Sequence, residues 1–332
     1  MKYDYSIFCD CGAPSLYNKL SRKLKGRGST GATFKNRKFD DYSYAESDDY
    51  NSYRDAYITW LHENKDKLTT YSNLDVINNP KKTLQNQRIL EDAGLQPIPV
   101  FHLGNDEKWF RKYLDNYDHI ALGGIFPNPV SVLIPMLDGL FKRNILDDDG
   151  FPRVKIHGFG CTSMPLLVRY PWYSVDSASA RKLAIYGKIV VLEHTTDNIY
   201  HVSISSRDIA VSSRWTKGYV EEFTKRAAEY GMTIEELSTN VSARMLWNYT
   251  MFRLAIRKKV PEKWQWNYYT KEIKDGCDEE FIMYFAGSLS QKEEEDFWSA
   301  IAKDSNMHLA RGRLQSFFYK TQLERIIKLK YK

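Results

Sequence analysis

The stretch PIPVFHLGNDEKWFRKYLDNYDHIALGGI, residues 97–125, decides the fold. It opens on a short apolar run, PIPVFHL, crosses a helical segment at 106–117, and returns to a second apolar run, HIALGGI. Working outward, SNLDVI (72–77) precedes a helical segment at 80–94, and HIALGGI is followed by another at 129–144. VKIHGFG (154–160) and WYSVDS (172–177) each lead into a further helical stretch, and YSIFCD (5–10) supplies a sixth β-run at the start. Strands alternating with helices make a parallel sheet with helical crossovers, in the α/β class. The expectation is a (β/α)8 TIM-like barrel, with a doubly wound sheet as the alternative. Asp10, Asp75, His102, Gly123 with Gly124, Gly160 and Asp176 all fall at or near the C-terminal ends of their runs, the face on which barrels gather their active sites. A doubly wound sheet also binds at strand carboxyl ends, so this pattern alone does not separate the two.

Beyond residue 188 the alternation stops. IVVLEH and IYHVSIS predict a hairpin across TTDN, and 217–230 and 233–258 predict helices. Val241, Met245, Leu246, Tyr249 and Phe252 recur near the helical period, the spacing of a packed face. The tail SFFYKTQLERIIKLKYK (316–332) reads as a helix end. The expected organisation is a barrel core over 1–215 and an irregular, mixed α/β portion over 216–332 that completes the barrel and contacts nucleic acid.

With 332 residues, 42% hydrophobic, the chain builds a sizeable core. Forty-eight Lys and Arg with 23 Tyr, 16 Phe and 8 Trp suit phosphate contact and base stacking, so a nucleic-acid partner is compatible. Cys9, Cys11, Cys161 and Cys277 form neither a CxxC pair nor a Cys/His cluster with zinc spacing, so free thiols, no metal and a cytoplasmic location are expected. No apolar run is long enough to span a membrane.

Between Lys19 and Lys38 there are eight basic residues, no acidic ones and three glycines. GRGSTG matches G-x-G-x-x-G formally but lacks the strand before it and the helix after it that a dinucleotide site needs. The expectation is a basic, Gly-rich loop over 19–50 beside the active face, with Lys23, Lys25, Arg27, Lys35, Arg37 and Lys38 touching the nucleic-acid backbone.

Asp10 and Asp176 at strand ends suit chemistry at an anomeric carbon. One carboxylate attacks the sugar and the other handles the proton of the leaving group. Asp75 can accept the two N–H donors on the N1 and N2 edge of guanine. Read singly, each is as compatible with a turn or cap residue; their shared position on successive strands is what joins them. His157 reads as a packed core histidine.

These segments resemble a family. YSIFCDCGA is similar to the TDSGG strand of tRNA-guanine transglycosylases, IALGGI to their GGL segment, HGFG to their MGVG, and YSVDSAS to their FDCVxPTR. NLDVI, IPVFH, LGG and SVDS resemble more closely the shorter branch of 7-deazaguanine DNA transglycosylases, over residues 5–187. The resemblance implies a (β/α) barrel that exchanges guanine in DNA for a free 7-deazaguanine base, such as 7-cyano-7-deazaguanine, without breaking the phosphodiester chain. It makes Asp176 the nucleophile on C1′ and Asp10 the acid and base. Asp75 then reads the N1 and N2 edge, the Gly124 amide contacts O6, and the Ile125 carbonyl approaches the 7-substituent. Gly123, Gly160, Cys11 and His102 complete the expected base site, with Cys11 in place of a family serine and His102 in place of a family glutamine. The family's zinc-binding CxCxxC is absent here, so no cofactor is expected. The same residues admit exchange on tRNA, a hydrolytic glycosylase, or a barrel that only binds nucleic acid.

Overall fold

The computed structural model describes residues 7–25, 43–126, 128–161, 163–192, 199–204, 217–259, 283–286 and 314–317. Two compact units divide the chain: Ser6–Asp176 with Gln315–Lys320, and Ser177–Leu314 with both termini. The first unit alternates β1 (Ile7–Cys9), α1 (Ala13–Lys25), α2 (Asp48–Asn64), β2 (Thr70–Tyr71), α3 (Pro80–Asp92), β3 (Val100–His102) and α4 (Lys108–Leu114). It continues through β4 (His119–Gly123), α5 (Val130–Leu140), β5 (Lys155–Gly158), α6 (Met164–Leu167) and β6 (Ser174–Ser177).

Every ladder in this unit is parallel. β3 pairs β4 with His102 opposite Gly123, β4 pairs β5 with Ala121 opposite His157, and β5 pairs β6 with His157 opposite Ser174. β1 pairs β2, and on its other side it pairs a strand from the far end of the chain, Leu314–Phe317. A single parallel bridge, Ser72 to Ile98, joins β2 to the β3 side. The α/β class read from the alternation is therefore the one observed.

The sheet is curled. Four strand intervals separate β1 from β5, about 19 Å in a flat sheet. Yet Phe8 of β1 stacks on His157 of β5 with ring centroids 4.6 Å apart, and meets Phe159 edge-on at 5.9 Å. Strand periodicity puts Asp10 on the same face as Phe8, and Asp176 on the same face as Ser174, whose ladder partner is His157. The concave face thus collects the aromatic stack and two carboxylates.

Several boundaries differ from the sequence reading. The second β-run sits earlier: β2 ends at Tyr71, Asn73 N–H still donates to the Ile98 carbonyl, and beyond it side chains hold much of the segment to Val76. Asn73 Nδ2 donates to the Thr83 carbonyl, Val76 N–H donates to Thr83 Oγ1, and Asn86 Nδ2 donates to the Leu74 carbonyl. Pro97 and Pro99 lack the N–H that would extend β3 upstream. The loop expected over 19–50 is partly helical. α1 runs to Lys25 because Leu16, Tyr17 and Leu20 recur on one buried stripe, and α2 starts at Asp48 under the Ser47 cap. Lys23 and Lys25 thus lie on a helix, while Arg27, Lys35, Arg37 and Lys38 fall outside the described residues.

The second unit contains α7 (Ser179–Ile185) and the antiparallel pair β7 (Lys188–Leu192) with β8 (Ile199–Ser203), the hairpin expected from sequence. Its TTDN turn lies outside the described residues. The expected helix over 233–258 is two: α9 (Ile234–Thr239) and α10 (Val241–Lys259), preceded by α8 (Lys217–Glu229). The break is at Asn240, whose side chain accepts the N–H groups of Ser242 and Ala243 and restarts the helix. Met245, Tyr249 and Phe252 of α10 are buried. β9 (Met283–Ala286) completes the elements before β10 (Leu314–Phe317). Ser316 and Phe317, read from sequence as part of a helical tail, belong to β10; the rest of that tail is outside the described residues.

Candidate active site

Asp10 follows β1 by one residue and is partly exposed; Asp176 lies in β6 and is buried. Burial is the first cause that pushes Asp176 up to about 8, opposed by the Gly160 amide and reinforced by the charge of Asp10. Burial, then the charge of Asp75, pushes Asp10 up to about 6, against donors from Gly12 and Cys11. The three acids are therefore electrically coupled. Both acids are thus pushed toward their protonated forms, Asp176 further than Asp10.

Gly160 N–H donates to Asp176 Oδ1 at 2.5 Å. Gly160 has φ +68, and an added Cβ would lie 3.1 Å from the Phe126 Cβ, so the turn that aims this amide needs glycine on both counts. Oδ2 of Asp176 takes no hydrogen bond from another residue among the described residues. His157 Nε2 also faces Oδ1, at 3.8 Å, beyond direct bonding. Full burial, with His119 as a lesser influence, holds the imidazole well below its usual range and therefore neutral.

Asp75 is tied on both oxygens. Its Oδ1 accepts from Cys11 Sγ at 3.1 Å, and its Oδ2 pairs with His102 Nε2 at 2.6 Å. Cys11 is fixed in turn, its amide donating to Ser72 Oγ and its carbonyl accepting from Tyr53 Oη. Burial, with the charges of Asp75 and Asp10, raises the Cys11 thiol well above its ordinary range, so it stays S–H and serves as a donor.

His102 was expected among the base contacts. Its Nε2 is engaged with Asp75 Oδ2, and its buried Nδ1 has no hydrogen-bond partner among the described residues. The geometry makes His102 a residue that orients Asp75. The reason for Gly123 also changes: a Cβ there would lie 2.9–3.1 Å from the His102 ring, so it is the imidazole that demands glycine. Gly124 has φ +77. The Ile125 carbonyl, expected to approach a 7-substituent, already accepts the Asn128 N–H at 3.0 Å and keeps one lone pair for a ligand.

Two residues that the sequence reading did not place at the site, His157, packed as expected, and Ser174, lie beside Asp176. Their signal was the two-residue spacing of Ser174 from Asp176 and the strand register opposite His157. Tyr170, Trp172 and Tyr173 pack the wall: Tyr170 stacks on Phe141 at 4.7 Å, Trp172 Nε1 donates to the Leu166 carbonyl, and Tyr173 meets His119 edge-on. Among the described residues no group of three or more His, Cys, Asp or Glu is placed to hold a metal, and no helix is long and apolar enough to cross a membrane. No protein-family model, curated protein or solved structure matches the chain.

Proposed function

We propose that the chain is a DNA-guanine transglycosylase that replaces guanine with a free 7-deazaguanine base through a covalent glycosyl-aspartate, on a (β/α)8 barrel. The observation that carries the reading is the pair of coupled carboxylates, Asp10 and Asp176, at the carboxyl ends of parallel strands, with one oxygen of Asp176 anchored by the Gly160 amide. The curled sheet and the returning strand at β1 support the barrel. The motif resemblance supports DNA guanine as the substrate.

In the first displacement Asp176 Oδ2 forms a bond to C1′ as the bond from C1′ to guanine N9 breaks. Asp10 gives its proton to the departing base. In the second, the incoming base loses its N9 proton to Asp10, N9 bonds to C1′, and the aspartyl ester breaks. Asp75, its plane set by Cys11 and His102, retains a lone pair on each oxygen for the two N–H donors of the base edge. The target must be extruded from the stack, at a cost of a few kcal/mol in a duplex.

Only the form with Asp176 ionised and Asp10 protonated reacts. The rate against pH is therefore a bell with limbs near 6 and 8 that belong to the pair, not to either acid alone. A flat profile from pH 5 to 9 breaks this account. Mapping the trapped adduct tests the assignment: an adduct on Asp176 is expected, and one on Asp10 overturns it.

The test is exchange of labelled guanine in DNA, and separately in tRNA, against added 7-cyano-7-deazaguanine. The expected result is loss of label from DNA matched by uptake of the new base. Exchange in tRNA alone overturns the substrate, and abasic sites without incorporation identify a hydrolase.

A further inference from the structure

We infer that Ser174 and His157 are a positioning pair for Asp176: the Ser174 hydroxyl donates to His157 Nδ1, which places the neutral ring's hydrogen on Nε2, facing Asp176 Oδ1. The inference rests on the reading of Asp176 as the attacking carboxylate. His157 Nδ1 lies 2.8 Å from Ser174 Oγ, and its Nε2 lies 3.8 Å from Asp176 Oδ1. The strand register makes this arrangement, since His157 and Ser174 are ladder partners and Asp176 is the next residue on the same face.

The ring has little freedom. Phe8 stacks on one side at 4.6 Å and Phe159 meets it edge-on at 4.7 Å, while His157 itself has no solvent exposure. Among the described residues, the titratable groups that act on it include Asp176 from β6 and, through its charge, His119 from β4; β1 presents the uncharged Phe8, and Asp10 acts on Asp176. His119 is itself held down to about 4 by burial, with Lys155 as a second cause, so it adds no charge at neutral pH. The imidazole therefore works as an oriented dipole and not as a cation. A small rotation of the Asp176 carboxyl brings Nε2–H within bonding distance of Oδ1. Together with the Gly160 amide, that gives the carboxylate two donors on one oxygen and turns Oδ2 toward C1′. A hydrogen bond to the charged form favours ionisation, the state that the empty site resists. Were the tautomer reversed, Nε2 would present a lone pair to a carboxylate and repel it.

The experiment follows the Asp176 carboxyl by carbon NMR in protein labelled at aspartate, assigned with Asp176→Asn, alongside the pH profile of base exchange. His157→Phe removes the N–H and is expected to raise the Asp176 midpoint by roughly one unit, with about a tenfold loss of exchange at pH 7 that shrinks as the pH rises. His157→Gln, whose amide can donate from nearly the same place, restores most of both. Ser174→Ala removes one hydroxyl, frees the tautomer and gives an intermediate shift. Unchanged midpoints in Ser174→Ala and His157→Phe overturn the inference. So does a loss that is equal at every pH with His157→Gln no better than His157→Phe. If His157→Phe does not fold, an unshifted Ser174→Ala overturns it alone. A midpoint that moves as expected in a protein that exchanges no base supports the pair and counts against the transglycosylase reading, so the two failures are distinguishable.

Discussion

Asp75 and Asp176 have the same 7% exposure in the same compact unit, and their surroundings treat them in opposite ways. Asp75 receives a side-chain donor on each oxygen, from Cys11 and from His102, and its plane is locked. Asp176 receives backbone amides only, from Gly160 and from its own N–H, with His157 Nε2 at 3.8 Å and the charge of Asp10 beside it. Equal burial thus goes with two different ways of holding a carboxylate. On the proposed transglycosylase reading, the one that presents a fixed edge is given side-chain donors, and the one that bonds to C1′ is anchored at one atom and left under-solvated at the other, which would strengthen its interaction with positive charge developing at C1′.

The largest expected effect is at Asp176. Asp176→Ala is expected to lower exchange on the order of 10⁴-fold or more and to abolish the trapped adduct. The comparison also predicts the opposite sign for stability. Both Asp176 and Asp10 have folded-state pKa values raised above those of an unfolded carboxyl, so stability is fully present below about pH 4 and is lost as the pH rises through about 6 and then about 8. Asp176→Asn removes that penalty. It is expected to melt higher than the parent protein at pH 8, by an amount on the order of a few kcal/mol, and equal melting of the two at that pH breaks the claim that Asp176 is strained by burial.

Much of this was legible in the sequence, for identifiable reasons. The alternation of apolar runs and helical segments carries the α/β class because each run is short enough to be a fully buried strand. The strand-end positions of Asp10 and Asp176 were legible because a two-residue side-chain period fixes which face a residue joins. What sequence could not carry was partnership across strands. Gly123 looked like a glycine kept for a ligand, and only the register with His102 shows that it accommodates an imidazole. His157 looked like core packing, and it is; the same packing aims its Nε2 at Asp176. The break at Asn240 was hidden because its apolar neighbours keep the helical period while its side chain caps the next helix.

A middle-sized effect tests the locked side. In Gly123→Ala the new methyl meets the His102 ring at 2.9–3.1 Å, with backbone strand on one side and the Asp75 pair on the other. The ring must shift, at a cost of about 1–3 kcal/mol. The expected signature is a raised KM for the free base with a smaller change in kcat, because what moves is the group that orients the reading carboxylate. A fall in kcat with KM unchanged would mean that His102 acts on the reacting bond, and the division between a locked reader and an open nucleophile would fail.

The smallest effect is expected from Cys11→Ser, and it sharpens the same division. The Cys11 thiol stays protonated and donates to Asp75 Oδ1, so chemistry does not require sulfur there. A hydroxyl is a stronger donor on a shorter arm, and the two differences offset. Exchange within about threefold of the parent is expected, a ratio that corresponds to roughly 0.7 kcal/mol. A thiol-directed alkylating agent should also leave the parent enzyme active, because a buried thiol far above its ordinary range offers almost no thiolate. A hundredfold loss in Cys11→Ser, or rapid inactivation by the reagent that base ligand prevents, would place Cys11 on the reacting side of the site. Asp75 could then no longer be treated as a carboxylate whose only task is to be held still.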